Sequence, residues 1–177
     1  HTYIKKNSIS RGNIFDLASI TKVVSTTSAI MNLIEEKKLN LDDRVVDYIP
    51  EFKGRQEKYF TQKTGTTIRH LINHTSGLPP FKQYYLMDGS MQTRMDSVMN
   101  TEPQRALNDT IIYSDIGLIV LGKLVEVAAQ TTLDNYVDSV IFAPLGMKST
   151  FFNPPSKKLH RIIPTENSRF HKKLIRG

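Results

Sequence analysis

Apolar residues recur at steps of three and four from Ile20 onward: Ile20, Val23, Val24, Thr27, Ile30, Met31 and Ile34 share one helical face. The spacing predicts a helix over 19–37, with Ser19 or Ala18 near its N-cap and Lys37 and Lys38 against its negative C-terminal end. A second strong period, through Leu118, Ile119, Leu121, Leu124, Val125 and Ala128, predicts a helix over 115–130 in which Gly117 and Gly122 allow close packing. A third helix is predicted over 133–142, capped by Thr132 and ended by Pro144-Leu145-Gly146-Met147. Shorter pieces lie between them. Asp42 and Asp43 cap a turn through Val45 and Val46 that Pro50 stops. Thr67 caps a helix over 68–73, followed by a firm turn at Gly77-Leu78-Pro79-Pro80. Ser90 caps a helix reaching about residue 100. Residues 53–65 are polar and read as a loop. Thr2, Tyr3 and Ile4 favour strand, and Arg11-Gly12-Asn13 marks a turn. After Phe152 the chain is rich in Pro and Lys, with little periodicity. The pattern is mostly helical, with few strands and no internal repeat.

At 177 residues and 39% hydrophobic, the chain has the size and composition of one domain with a real core. No run of eighteen apolar residues predicts a membrane span. Residue 1 is His and no signal-peptide pattern follows, so the start reads as trimmed and the compartment is not legible there. Absence of cysteine removes disulfides, thiolate metal sites and cysteine nucleophiles together. The net charge of +7 is concentrated: residues 157–177 hold seven of the 24 Lys/Arg against Glu166, leaving the body nearly neutral. A basic segment of this kind is expected to be a solvated face, and nucleic acid is not the expected partner.

Ser19 and Lys22 stand one helical turn apart where the first helix begins. A serine with a base beside it is an activated nucleophile. Lysine serves as a base only if burial or nearby positive potential lowers its usual pKa of about 10.4, and a helix N-terminus supplies such potential. Ser-x-x-Lys also arises from a capping serine followed by a solvated lysine.

Phe15-Asp16-Leu17-Ala18-Ser19-Ile20-Thr21-Lys22 closely resembles the first active-site motif of the serine β-lactamase and penicillin-binding-protein superfamily, most nearly its class C β-lactamase and esterase branch. Leu33-Ile34-Glu35-Glu36-Lys37-Lys38-Leu39-Asn40-Leu41-Asp42-Asp43 looks like that branch's helix exit. Ile68-Arg69-His70-Leu71-Ile72-Asn73-His74-Thr75-Ser76-Gly77-Leu78-Pro79 is similar to its His-Thr-Ser-Gly-Leu-Pro loop. Tyr113-Ser114-Asp115-Ile116-Gly117 falls where the branch carries Tyr-x-Asn, and Pro144-Leu145-Gly146-Met147 matches a family turn. The resemblance runs from about Ile14 to Phe152.

The resemblance implies the α-rich portion of the α/β β-lactamase/transpeptidase-like fold, with the later sheet strands missing from this chain. It describes one partial domain: a trimmed strand region and lead-in over 1–17, a helical region with the motifs over 18–152, and a basic irregular tail over 153–177. It implies a serine hydrolase that cleaves an ester or amide through an acyl-serine intermediate. Ser19 is then the nucleophile, Lys22 its base and Tyr113 the phenol that shuttles protons. Asp115 is a substrate-binding position and departs from the family's Asn, because an ionised carboxylate accepts but cannot donate. It would also hold Lys22 charged. An esterase or D,D-peptidase role ranks ahead of a dedicated β-lactamase.

No cofactor is implied, the substrate is a small molecule or peptide, and the family leans to the periplasm or cell envelope. The family's third motif, Lys-Thr-Gly or His-x-Gly on a later strand, has no match after Asp115. Lys63-Thr64-Gly65 comes too early in the chain order. The 177 residues alone are therefore expected to be inactive. The alternative is a non-catalytic module that binds cell-wall peptide or a partner protein. His70 and His74 have the i, i+4 spacing of metal ligands but no third ligand nearby in sequence, and His74 is expected to bond its own loop. Met87, Met91, Met95 and Met99 read as a core stripe, or as a wall facing substrate.

Overall fold

The computed structural model describes residues 8–168 and 172–175, so the strand expected at Thr2, Tyr3 and Ile4 lies outside the described residues. The chain divides into two compact units, one over 22–137 and one made of 1–21 with 138–177.

The first unit is helical and is built around α6 (Asp115–Ala129). Ile116, Leu118, Val120, Leu121, Leu124 and Val125 are all buried, which at about 1.5–3 kcal/mol per buried large aliphatic side chain makes this helix the main apolar contributor. Ser114 caps it, its Oγ accepting the Gly117 N–H at 3.1 Å. Gln130, in the left-handed region at φ 55°, ends it. Against α6 pack a π-helical segment (Lys22–Thr27) that runs into α1 (Ser28–Glu35), α2 (Val45–Tyr48), α4 (Ile68–Ile72), α5 (Met91–Met99) and α7 (Leu133–Val137). Thr67 caps α4 with a reciprocal box. Its Oγ1 accepts the His70 N–H, and His70 Nδ1 accepts the Thr67 N–H at 3.0 Å. Ser90 caps α5 through the Thr93 N–H at 3.2 Å.

Several expectations change. The helix expected over 19–37 begins at Ile20, and its first turns are widened to π geometry. The methionine row is not a uniform stripe, since Met91 at the start of α5 is exposed and Met99 at its end is buried. The polar stretch 53–65 is not a loop: it forms a 3₁₀ turn (Glu57–Tyr59) and α3 (Phe60–Thr64).

The reason for the last change is Lys63, which turns inward and is only 2% exposed. Its amino group donates to Met99 O at 2.5 Å and Thr101 O at 3.0 Å and lies 4.4 Å from the Phe52 ring centroid. Lys63-Thr64-Gly65 thus sits on and just after a helix. Burial, with the charge of Lys82 adding to it, pushes the Lys63 amine down to about 8. An unfolded lysine keeps its proton to about 10.4. Between these values the unfolded chain binds more protons than the folded one, so stability rises with pH across that window. The expected gain is about 3 kcal/mol by the upper end. Urea melts at a series of pH values should show it in the wild-type chain and not in Lys63→Met; parallel curves for the two would refute it.

In the second unit, Ile14 pairs in parallel with Ile162, and both are buried. The Ile14 N–H donates to Arg161 O and the Ile163 N–H to Ile14 O, each at 2.9 Å. The unit also holds a π-helical turn (Asp138–Phe142), a 3₁₀ helix (Ser156–Arg161) and an antiparallel ladder of β1 (Glu166–Ser168) with β2 (Lys173–Ile175). Part of the basic stretch expected to be irregular therefore has regular structure, with Lys172 and Lys173 exposed. The lone pair Leu174-Ile175 is too short to stand out as a period in the sequence.

Candidate active site

Ser19 lies in the second unit, exposed, in the turn just before the helical run. That turn is tightly specified. Asp16 Oδ1 accepts the Ala18 N–H at 2.9 Å, the Ile20 N–H donates to Leu17 O at 2.9 Å, and the Thr21 N–H donates to Ala18 O at 3.0 Å. Ala18 takes φ 45°, a conformation uncommon for a residue with a Cβ. Strain of this kind costs on the order of 1–3 kcal/mol and clusters at functional positions.

The other three candidate residues converge within the first unit. Lys22 opens the π-helical segment, and its Nζ lies 2.9 Å from Asp115 Oδ1 and 5.2 Å from the Tyr113 ring centroid. Its side chain is 20% exposed and that of Asp115 46%, so the pair is half-shielded rather than buried. Burial alone lowers the Lys22 pKa. Hydrogen bonds to Asp115 and Tyr113, with the charges of both groups, outweigh it and raise the pKa above the ordinary lysine value. The resting group is therefore an ammonium, the opposite of the uncharged amine that a ready base requires. The positive end of a helix does not decide the matter once a carboxylate sits this close.

Hydrogen bonds to backbone carbonyls of the 74–80 loop hold the Tyr113-Ser114-Asp115 turn and the residue before it. The Asp115 N–H donates to Pro80 O at 2.7 Å, Ser114 Oγ donates to Pro79 O at 2.7 Å, and the Ile112 N–H donates to His74 O at 2.9 Å. The His74 ring meets this turn and not its own loop. Its Nδ1 accepts the Ser114 N–H at 3.1 Å, and its centroid is 4.8 Å from that of Tyr113. Sequence reasoning missed this role, because a pairing across forty residues leaves no local signal. His70, with Nδ1 committed to Thr67, belongs to the α4 cap. Chemically the cluster offers a cation, a phenol and a carboxylate with one half still open to solvent, which suits proton transfer and binding of a polar group.

Comparison with known proteins follows the same lines. A beta-lactamase family model matches residues 4–174. A protein of Salmonella agona (strain SL483) named D-alanyl-D-alanine carboxypeptidase is 33% identical over 151 residues, which make up 81% of this chain and 35% of that one. Its counterpart in Salmonella schwarzengrund (strain CVM19633) is 34% identical over the same shares. The chain thus spans about a third of the length of the curated relatives it matches. Among solved structures, a class C beta-lactamase from Rhodobacter sphaeroides superposes with a TM-score of 0.69 at 23% identity, over 90% of this chain and 42% of that one. A beta-lactamase/D-alanine carboxypeptidase from Yersinia pestis gives 0.73 at 21% identity, over 89% and 46%. At those identities the likeness is one of fold.

Proposed function

This chain belongs to the beta-lactamase family of serine hydrolases, and from that premise we propose that the protein carrying it cleaves an ester or amide through an acyl-serine intermediate. The fold is the helix-rich part of the β-lactamase/transpeptidase-like architecture. The observation that carries the reading is the convergence of Lys22, Tyr113 and Asp115, the first of them three residues after Ser19.

In this mechanism Ser19 Oγ attacks the substrate carbonyl carbon, forming an O–C bond as the hydroxyl proton leaves and the leaving group departs with a proton. The resting Lys22 ammonium has no lone pair. It accepts the Ser19 proton only after passing one of its own on, either to the Asp115 carboxylate or to the Tyr113 oxygen as that phenol gives up its own proton. Tyr113 is the shuttle that returns a proton to the leaving group. Water then cleaves the acyl-serine bond along the reverse proton path.

Asp115 orients the substrate through the exposed part of its carboxylate, which accepts N–H or O–H groups where the family's usual Asn also donates. A peptide substrate suits such an acceptor, and the carboxypeptidase name borne by the Salmonella agona relative supports the amide branch of the reading.

The test is covalent labelling of the full-length protein with a fluorophosphonate and with a labelled penicillin, followed by mass analysis of the peptide that contains Ser19. The expected result is one adduct, on Ser19. An adduct elsewhere removes the assignment, and absence of labelling by every acylating probe leaves a binding module.

A further inference from the structure

We propose that His74 is a positioning residue: as a neutral imidazole it sets the Tyr113-Ser114-Asp115 turn, and as an imidazolium it releases it. The inference rests on the serine-hydrolase reading for its catalytic consequence, though not for its structural one.

His74 meets three consecutive residues of that strand-like approach to α6. Its backbone carbonyl accepts the Ile112 N–H at 2.9 Å, its ring packs against the Tyr113 ring at 4.8 Å with a 50° tilt, and its Nδ1 accepts the Ser114 N–H at 3.1 Å. Successive residues are thus fixed by the carbonyl, the ring and the ring nitrogen of one residue. Because Nδ1 accepts, the single ring proton of the neutral form sits on Nε2. Ser114 is 1% exposed, so its N–H has no water to turn to when this acceptor is lost.

Protonation of Nδ1 replaces an acceptor with a donor that faces another donor. It also sets a second positive charge beside Lys22. The groups that act on the ring are Lys22 from the π-helical segment, Asp115 from the start of α6, and the Tyr113 phenol. Burial first, then Lys22, push the His74 pKa below the ordinary histidine value, and Asp115 opposes them. Near neutral pH the ring is therefore neutral and the turn held. His74 itself takes φ 63°, a left-handed conformation that Asn adopts more readily than most residues. Asn also places a side-chain oxygen near the position of Nδ1.

The experiment compares the full-length wild-type protein with His74→Asn and His74→Phe. Amide hydrogen exchange at Ser114 is resolved by mass spectrometry from about pH 7.5 down to about pH 4.5, the range of a histidine titration, and corrected for intrinsic rates. In the wild type, protection of Ser114 should fall by about 3–10-fold as His74 protonates, the equivalent of one ordinary hydrogen bond. His74→Asn should keep the protection and lose its pH dependence. His74→Phe, which keeps a ring against Tyr113 without an acceptor, should be unprotected throughout and should acylate more slowly than His74→Asn.

A wild-type Ser114 amide that ignores pH overturns the proposal, as does an Asn variant with wild-type pH dependence. If the Phe variant does not fold, the wild-type and Asn comparison decides alone. A wild type that never labels at Ser19 removes the catalytic reading and leaves the exchange result to judge His74 by itself.

Discussion

Alanine in place of Ser19 is expected to end covalent labelling, and methionine in place of Lys22 to slow it by about 10²–10⁴-fold, the range for general acid–base catalysis. The first loss is total because the bond to the probe is made by Ser19 Oγ itself. The second has two sources. Methionine keeps the length and apolar stem of lysine but can neither take nor give a proton. It also strands the Asp115 carboxylate, whose Oδ1 lies 2.9 Å from the ammonium.

The double variant Lys22→Met with Asp115→Asn separates these sources. It removes the stranded charge, so a rate that recovers toward wild type assigns the effect to electrostatic damage. A rate that stays low assigns it to proton transfer. The pair is too exposed for its loss to unfold the domain, so melts of the two variants should stay close to wild type. Labelling of Lys22→Met at the wild-type rate would sink the proposed role.

Alanine at Gly77 should produce the largest loss of stability, about 3–5 kcal/mol, a size reserved for a few severe mechanisms. Gly77 takes φ 75°, and a Cβ built there would stand 2.0 Å from Arg105 O and 2.8 Å from Arg105 C. Those neighbours are backbone and cannot swing aside. Gly77 O accepts the Gln104 N–H at 2.7 Å, and Gln62 Nε2 donates to both Ser76 O and Arg105 O, so moving either strand of the loop breaks further bonds.

Gly146 is the control. It takes φ 66° with nothing within 4 Å of a built Cβ, so alanine there costs only the left-handed strain, about 1–2 kcal/mol. Urea melts of the two variants should differ by the cost of the clash, and equal melts would show that the 77 loop gives way. The same loop supplies Pro79 O and Pro80 O to Ser114 and Asp115. A folded Gly77→Ala chain should therefore also label poorly at Ser19.

The two predictions depend on different kinds of information. Ser19, Lys22 and Tyr113 are named by motif and by chain order. The conflict at Gly77 comes from a strand of backbone twenty-eight residues further along, and the sequence marks it only as a turn.

Local physics explains what could be read in advance. A cap and the N–H it satisfies lie within three residues, so Thr67 and Ser90 announce α4 and α5 before any coordinates. A buried helix face repeats every three to four residues, so α6 is written in its own leucines, valines and isoleucines. Asp115 as a partner that keeps Lys22 charged also follows from residue type once the two motifs are known to meet. Other features depend on groups brought together from afar. Lys63 counts as polar in any pattern, and only Met99 O, Thr101 O and the Phe52 ring turn it inward. The His74 imidazole finds Ser114 because α4 and α6 pack side by side. Hydrophobic period and capping chemistry act over a turn or two, and through them the amino-acid order determined the helices, while the candidate nucleophile was legible in the order of motifs that carries the family resemblance. The charge of the lysine and the anchoring of the phenol's turn depend on distances of a few ångströms between residues 40 and 93 positions apart, and those distances exist only once the core has closed.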